Sequence, residues 1–267
     1  SNCKPSSSMK PKVLQLFASG INCDRELRYA FELAGAEVTE IHIRELTKTP
    51  ELIRECDVFA IPGGFTYGDD LGAGRVLGLE VEKFLSEELH ALHERGGSIF
   101  GVCNGFQVLV KAGLLPQVDG VDVSLTWNTS HRFEARWSRM IVEESMSHVL
   151  PAGSVLPAPS AHAEGQIVLA RGATDVAALE AANAIALRYC DREGNVTDQW
   201  PDCPSGSIGA IAGLVSSSGR IVGLMPHPER NLSVLHTPDR GNGAWGDGSE
   251  GLSFFKGLLA PYLAKSK

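Results

Sequence analysis

The sequence predicts an α/β protein, with a mostly parallel central sheet flanked by helices and an additional antiparallel-rich portion in its second half. Three observations carry that reading. Short apolar runs alternate with amphipathic stretches from Lys12 through Ala112, the pattern of β–α units wound into a parallel sheet. After Pro116 the runs become shorter and less regular. The chain has 267 residues, 43% of them hydrophobic, enough to bury a substantial core.

Residues 13–17 read as the first strand and residues 24–34 as a helix stopped at Gly35. Residues 37–43, 58–61 and 98–102 give three further strands. Between the last two lies a helix in which Val81, Phe84, Leu85, Leu89 and Leu92 recur at helical spacing, while Glu82, Lys83, Glu87 and Glu88 take the other face. A helical run over 106–112 follows the fourth strand. The second half carries strand-like runs at 121–125, 167–170, 185–189, 208–215 and 221–225. A closing helix spans 250–263, with Leu252, Phe255, Leu259 and Leu263 on one stripe. No internal repeat or Gly/Ser-rich linker divides the chain. A single domain over residues 12–264 is therefore expected, after a polar extension or expression scar at residues 1–11.

The formal charge of −8 opposes a nucleic-acid partner, which would require a basic face. No apolar run approaches the roughly 20 residues that span a bilayer, so no membrane segment is expected and the protein is read as cytoplasmic. Cys3, Cys23, Cys56, Cys103, Cys190 and Cys203 form neither a metal-ligand spacing nor a disulfide framework. His90 and His93 share a helical stretch without a third ligand, so no metal site is expected.

Chemistry concentrates in three segments. Gly101-Val102-Cys103-Asn104-Gly105-Phe106-Gln107 follows a strand and opens a helix. It reads as a nucleophile elbow in which the flanking glycines permit a sharp turn and the helix N-terminus favours a thiolate at Cys103. Met225-Pro226-His227-Pro228-Glu229-Arg230 presents His227 from a stretch stiffened by two prolines. Glu229, two residues on, is expected to approach the ring as in an extended chain and orient it as a base. Pro62-Gly63-Gly64-Phe65 ends a strand at the same sheet edge, where successive backbone N–H groups can meet an oxyanion.

These segments, in this order, resemble the class I (triad-type) glutamine amidotransferases and their flavodoxin-like fold. Further stretches are similar to the glutaminase subunits of phosphoribosylformylglycinamidine synthases: residues 64–70, residues 128–134, Ala161-His162-Ala163-Glu164-Gly165, and the run from Gly206. The resemblance covers residues 12–263 and implies a catalytic triad of Cys103, His227 and Glu229, with Gly64 and the backbone of Asn104 as oxyanion donors. It also implies that Gln107, Asn128, Ser130 and Phe133 hold the head group of L-glutamine, with Phe65 and His162 nearby.

By the same resemblance, ammonia from glutamine passes to a large synthetase subunit that uses ATP and magnesium, often with a small bridging subunit. The present chain carries no cofactor of its own and no GxxxxGK[ST] phosphate loop. The family block Asn-Pro-Asn-Gly-Ser is replaced here by Cys203-Pro204-Ser205-Gly206-Ser207, and extra residues fall near 144–159 and 191–204. Three alternatives stand beside this reading: a stand-alone cysteine hydrolase acting on γ-glutamyl or peptide bonds, an amidotransferase of another pathway, and a scaffold without catalysis.

Overall fold

The computed structural model describes residues 10–263. The proposed extension lies outside that span up to Met9, whereas Pro11 is already buried and accepts a 2.8 Å hydrogen bond from the Glu37 N–H. In chain order the first half contains β1 (Lys12–Phe17), α1 (Asp24–Leu33), β2 (Glu37–His42), α2 (Ile43–Leu46), β3 (Val58–Ile61), α3 (Arg75–Glu94), β4 (Ser98–Val102) and α4 (Asn104–Lys111). The second half contains β5 (Val123–Thr126), β6 (Glu134–Val142), β7 (Val155–His162), β8 (Gln166–Leu169), α5 (Ala173–Ala181), β9 (Ile185–Cys190), β10 (Ile211–Val215), β11 (Ile221–Leu224) and α6 (Ser249–Leu263).

The main sheet has the order β2-β1-β3-β4-β11-β10-β9-β6-β7. The strands from β2 to β11 pair in parallel. The sheet then continues through antiparallel pairs to β7. β5 and β8 form a separate antiparallel pair. In the parallel half, β3 is buried at every position, as expected of a strand covered on both faces. Between β4 and the helices, Phe31, Phe100, Phe254 and Phe255 meet edge-on or tilted, with centroids 5.1–6.0 Å apart, a geometry favoured by the ring quadrupole.

Several expectations are corrected. Residues 208–210 form a 3₁₀ turn rather than the start of a strand, because Gly209 and Ala210 adopt positive φ. The second strand stops at His42, whose ring nitrogen accepts the Arg44 N–H and caps α2. Phe84 faces outward from α3, and Glu88, expected on the polar face, is buried against Arg54. The buried stripe of α6 runs through Phe254, Phe255, Leu258, Leu259 and Tyr262, leaving Leu263 exposed.

The largest omission is the β6–β7 hairpin. Residues 144–159 are not only surface elaboration, since their last five residues begin β7, in which Leu156 and Ala158 are fully buried. Pro157 and Pro159 make that segment read as loop. β7 is an edge strand, the position in a sheet that tolerates proline. On its free side the Pro159 and Pro157 carbonyls accept hydrogen bonds from His227 N–H (2.8 Å) and Asn231 Nδ2 (2.7 Å). The edge that has no further strand thus anchors the segment carrying His227.

Candidate active site

The carboxyl ends of the neighbouring strands β1, β3, β4 and β11 meet at one sheet edge, where open α/β sheets place their sites. At the end of β4, Cys103 adopts φ 53°, ψ −110°, a left-handed-side conformation that strains a residue with a Cβ. The turn is held from both sides. The Cys103 N–H donates to the Leu224 carbonyl at 2.7 Å, and the Cys103 carbonyl accepts from the Gln107 N–H at 3.1 Å, opening α4. Gly105 is required by close approach, since a Cβ there would lie 2.0 Å from the Ile61 carbonyl oxygen of β3.

His227 follows β11 and is 1% exposed. Its Nδ1 meets Glu229 Oε1 at 2.5 Å. Arrival of that carboxylate differs from the extended-chain expectation: Pro228–Arg230 form a 3₁₀ turn closed by the Arg230 N–H on the His227 carbonyl at 3.1 Å. Proline at the first position of a helical turn starts one rather than excluding it. Burial alone would depress the imidazole. The charges of Glu229 and Cys103, together with their hydrogen bonds to the ring, override that and raise His227 to about 10.

The Pro62–Phe65 loop closes the site from β3. Gly64 sits at φ 146°, and the Phe65 N–H donates to the Gly20 carbonyl at 2.8 Å. A Cβ on Gly63 would lie 2.8 Å from His227 Cε1 and 3.3 Å from Cys103 Cβ, so the loop backbone lies against both side chains. Asn104 is the first residue of α4, so its N–H precedes the helix's own hydrogen-bond ladder.

A cavity of about 210 Å³ opens here, lined by Asn22, Cys23, Gly64, Phe65, Cys103, Phe133, Ala161, His227 and Arg230. Phe65 and Phe133 form one wall, both partly exposed, with ring centroids 6.1 Å apart. Thus Cys103, His227, Gly64, Phe65 and Phe133 come together as expected, with Glu229 directly behind His227.

Gln107, Asn128, Ser130 and His162 stand outside that lining. Gln107 is buried, its Nε2 donating to the Glu164 carbonyl at 2.6 Å and its Oε1 accepting from Asn104 Nδ2 at 2.9 Å. Asn128 Nδ2 donates to the Arg132 and His162 carbonyls, while its Oδ1 accepts from the Gly165 N–H and from His162 Nδ1. That acceptor places the His162 proton on Nδ1. Burial, reinforced by the charge of His227, pushes His162 down to about 4. The expected head-group contacts of Gln107 and Asn128 are thus taken up by protein partners instead. The departing family block has a related place: the Ser205 carbonyl accepts from the Thr129 N–H at 3.1 Å and so braces the 128–133 loop.

Sequence reasoning gave no site role to Asn22, Cys23, Ala161 and Arg230, all of which line the cavity. Residues 18–23 were legible as the loop after the first strand, at the same edge as the elbow, but no motif marks them. The cavity therefore holds two thiols, which differ in setting. Cys23 accepts from Arg230 Nη2 at 2.9 Å and donates to Asn22 Oδ1 at 3.2 Å, and burial pushes it up to about 12 despite the nearby Arg230. Only Cys103 combines a strained turn, a helix N-terminus and hydrogen-bonding contact with the imidazole, the setting of an activated thiol.

Among the described residues no group of three or more His, Cys, Asp and Glu is placed to hold a metal ion, and no helix is long and apolar enough to cross a membrane.

Known proteins are similar to this chain in sequence and in fold. A family model described as the CobB/CobQ-like glutamine amidotransferase domain matches residues 10–260. The chain is 46% identical over 224 residues to phosphoribosylformylglycinamidine synthase subunit PurQ of Dehalococcoides mccartyi, covering 83% of this chain and 86% of that one. It is 37% identical over 236 residues to the PurQ subunit of Methanococcus maripaludis, covering 86% and 87%. A chain of the solved PurLQS structure from Thermotoga maritima superposes with a TM-score of 0.72 at 29% identity, over 95% of this chain and 100% of that chain. A putative GMP synthase subunit from Thermoplasma acidophilum, at 14% identity and a TM-score of 0.57, shares the fold alone. The chain belongs to the glutamine amidotransferases and, within them, to the PurQ subunits of phosphoribosylformylglycinamidine synthase.

Proposed function

We propose that this chain hydrolyses L-glutamine to glutamate and ammonia through Cys103, His227 and Glu229. It passes the ammonia to the synthetase subunit that converts formylglycinamide ribonucleotide to formylglycinamidine ribonucleotide in de novo purine biosynthesis. The observation that carries this reading is the strained Cys103 sharing one cavity with a buried His227 whose Nδ1 is bonded to Glu229.

With Nδ1 engaged, Nε2 is the nitrogen left for the sulfur. The raised His227 is an imidazolium at neutral pH and so carries the proton that the leaving amine takes. The sulfur attacks the side-chain amide carbon of glutamine, and the carbonyl electrons move to the oxygen. Backbone N–H groups of Gly64 and Asn104 stabilise that oxyanion, each worth about 3 kcal/mol of barrier. Collapse expels the amine, which takes the Nε2 proton and leaves as ammonia. The resulting thioester is cleaved by water, with Nε2 now accepting a proton and the sulfur leaving as thiolate. Phe65 and Phe133 flank the substrate, while Gln107, Asn128, Ser130 and His162 hold the walls in place.

In this reading ATP and magnesium act on the synthetase subunit, a small bridging subunit joins the assembly, and the complex works in the cytoplasm. The similarity to a chain of a PurLQS structure supports it. The test is ammonia release from glutamine by the chain alone and with its synthetase, for wild type and Cys103→Ala. Weak activity alone, strong activity in the complex and none in a folded Cys103→Ala variant are expected; full activity in that variant overturns the triad.

A further inference from the structure

One loop reaches both backbone groups assigned above to the oxyanion. Gly64 opens it after β3, and its continuation, the 3₁₀ turn Thr66–Asp69, meets the first turn of α4. There the Asn104 side chain is 1% exposed and held at both ends. Its Oδ1 accepts from the Thr66 N–H at 3.3 Å, and its Nδ2 donates to Asp69 Oδ1 at 3.5 Å and to Gln107 Oε1 at 2.9 Å. Asp69 also accepts from the Gly74 N–H. Burial, reinforced by the charge of Glu164, raises Asp69 to about 6, which leaves it an ionised acceptor at neutral pH.

The loop is braced to keep this shape. Tyr67, Gly68 and Asp69 adopt φ of 53°, 68° and 57°, and side-chain-bearing residues stay in that region only where their surroundings over-determine them. The Tyr67 N–H donates to the Ser19 carbonyl at 2.8 Å and its hydroxyl to Glu80 Oε2 of α3 at 2.6 Å. At the far end, a Cβ on Gly74 would lie 2.9 Å from Gln107 Cβ, so the loop rests on α4 there as well.

The elbow needs such a restraint. Cys103 sits at φ 53°, ψ −110°, outside the regions allowed to a residue with a Cβ. Turning the peptide plane between Cys103 and Asn104 by roughly half a turn would bring Cys103 into the left-handed region, where φ of about 50–70° accompanies ψ of about 30–60°. That relaxation would also swing the Asn104 N–H out of the site. A side chain gripped at both ends opposes it.

We infer that Asp69 is a positioning residue for the reaction: through the Asn104 side chain it holds the Cys103–Asn104 peptide with its N–H toward the oxyanion. The inference rests on the function proposed above. Asp69 acts on the transition state alone, because the oxyanion exists only there.

The experiment compares wild type, Asp69→Asn, Asn104→Ala and the double variant, each as the full chain with its synthetase. Asp69→Asn keeps the size of the side chain and a residue that tolerates positive φ, but offers one acceptor oxygen to two donors. Asn104→Ala keeps the backbone N–H and removes the group that the loop grips. In Asp69→Asn, kcat for ammonia release should fall about ten-fold with KM unchanged; in Asn104→Ala it should fall at least as far, within the roughly 10²–10³-fold worth of one oxyanion donor. The double variant should equal Asn104→Ala, since Asp69 acts only through that side chain. Alkylation of Cys103 by iodoacetamide, followed by mass spectrometry, should keep its wild-type rate throughout, because displacement of iodide by the sulfur forms no oxyanion.

Wild-type kcat in Asp69→Asn, a further loss in the double variant, a raised KM with kcat intact, or alkylation slowed in step with hydrolysis overturns the inference. Should Asn104→Ala not fold, kcat, KM and alkylation of Asp69→Asn decide it alone. Failure of the amidotransferase reading is distinguishable, because wild type would then release no ammonia from glutamine with or without the synthetase, and the inference would fall with it.

Discussion

The two halves of the sheet divide the labour of the site unequally. In the proposed reaction the parallel half contributes the groups that react: Cys103 after β4, His227 and Glu229 after β11, and the Gly63–Phe65 backbone after β3. The antiparallel half contributes Ala161 and Phe133 to the cavity and otherwise works through its edge, where the Pro157 and Pro159 carbonyls of β7 hold Asn231 and His227. Parallel strands all end at one edge, so reactive groups converge from separated parts of the chain. An antiparallel edge strand instead offers a row of carbonyls, and here that row positions rather than reacts.

The comparison is most directly broken at Glu229. Glu229→Gln keeps the size of the side chain but removes its charge and can hold the wrong tautomer of His227. Glutaminase kcat should fall by about 10⁴ with an unchanged fold, and the ¹⁵N titration of His227 should move down from about 10. A loss of only a few-fold would show that the parallel edge does not supply the orienting group.

The two buried histidines give the comparison opposite pH signs. His227, in the parallel half, is raised above its ordinary 6.5 to about 10. Its contribution to stability is fully present below pH 6.5 and is lost as pH rises through 10. His162, at the end of β7, is lowered from 6.5 to about 4. Its contribution is present above pH 6.5 and is lost as pH falls through 4. Urea unfolding across pH should therefore show His162→Asn flattening the acid limb and His227→Asn the alkaline limb. The reverse assignment would contradict both environments.

The same division explains what could be read from the sequence. The parallel half was legible because its strands are continuous apolar runs and its candidate catalytic groups lie in compact motifs at strand ends. β6 and β7 were not, because Arg136, Arg139 and the two prolines of β7 obscure the alternation expected of strands. Only the pairing to β9 and the hydrogen bonds from the 227–231 segment make sense of them. Gln107 and Asn128 were recognisable as members of the site region. Their engagement with Glu164, His162 and Gly165 depends on neighbours far along the chain, which no local motif records. Arg230 was visible within its motif, but its contact with Cys23 joins residues on different strand ends.

A milder disturbance tests the anchoring role of the β7 edge. Asn231 is fully buried, with Nδ2 donating to the Pro157 carbonyl at 2.7 Å. Asn231→Ala leaves that carbonyl without its partner and should cost about 1–3 kcal/mol of unfolding free energy, measured by urea denaturation. Because the same turn carries Glu229, kcat should fall with it. Lost stability with wild-type kcat would mean that the edge stabilises the fold without positioning the triad.

The smallest expected effect sharpens the comparison where the antiparallel half reaches the substrate. Phe133 is 49% exposed and faces Phe65 across 6.1 Å, so its ring is a cavity wall more than a core element. Removing an aromatic contact of this kind is worth about 1 kcal/mol, or roughly a five-fold change in an equilibrium constant. Phe133→Ala should therefore raise KM for glutamine roughly five-fold, with kcat and thermal midpoint near wild type, because no reacting group depends on the ring. A matched rise in Phe65→Ala, and less than the sum of the two in the double variant, would place the rings in one shared contact with the substrate. A fall in kcat instead would mean that the antiparallel half aligns the amide for attack, and the division between reacting and positioning halves would have to be redrawn at this residue.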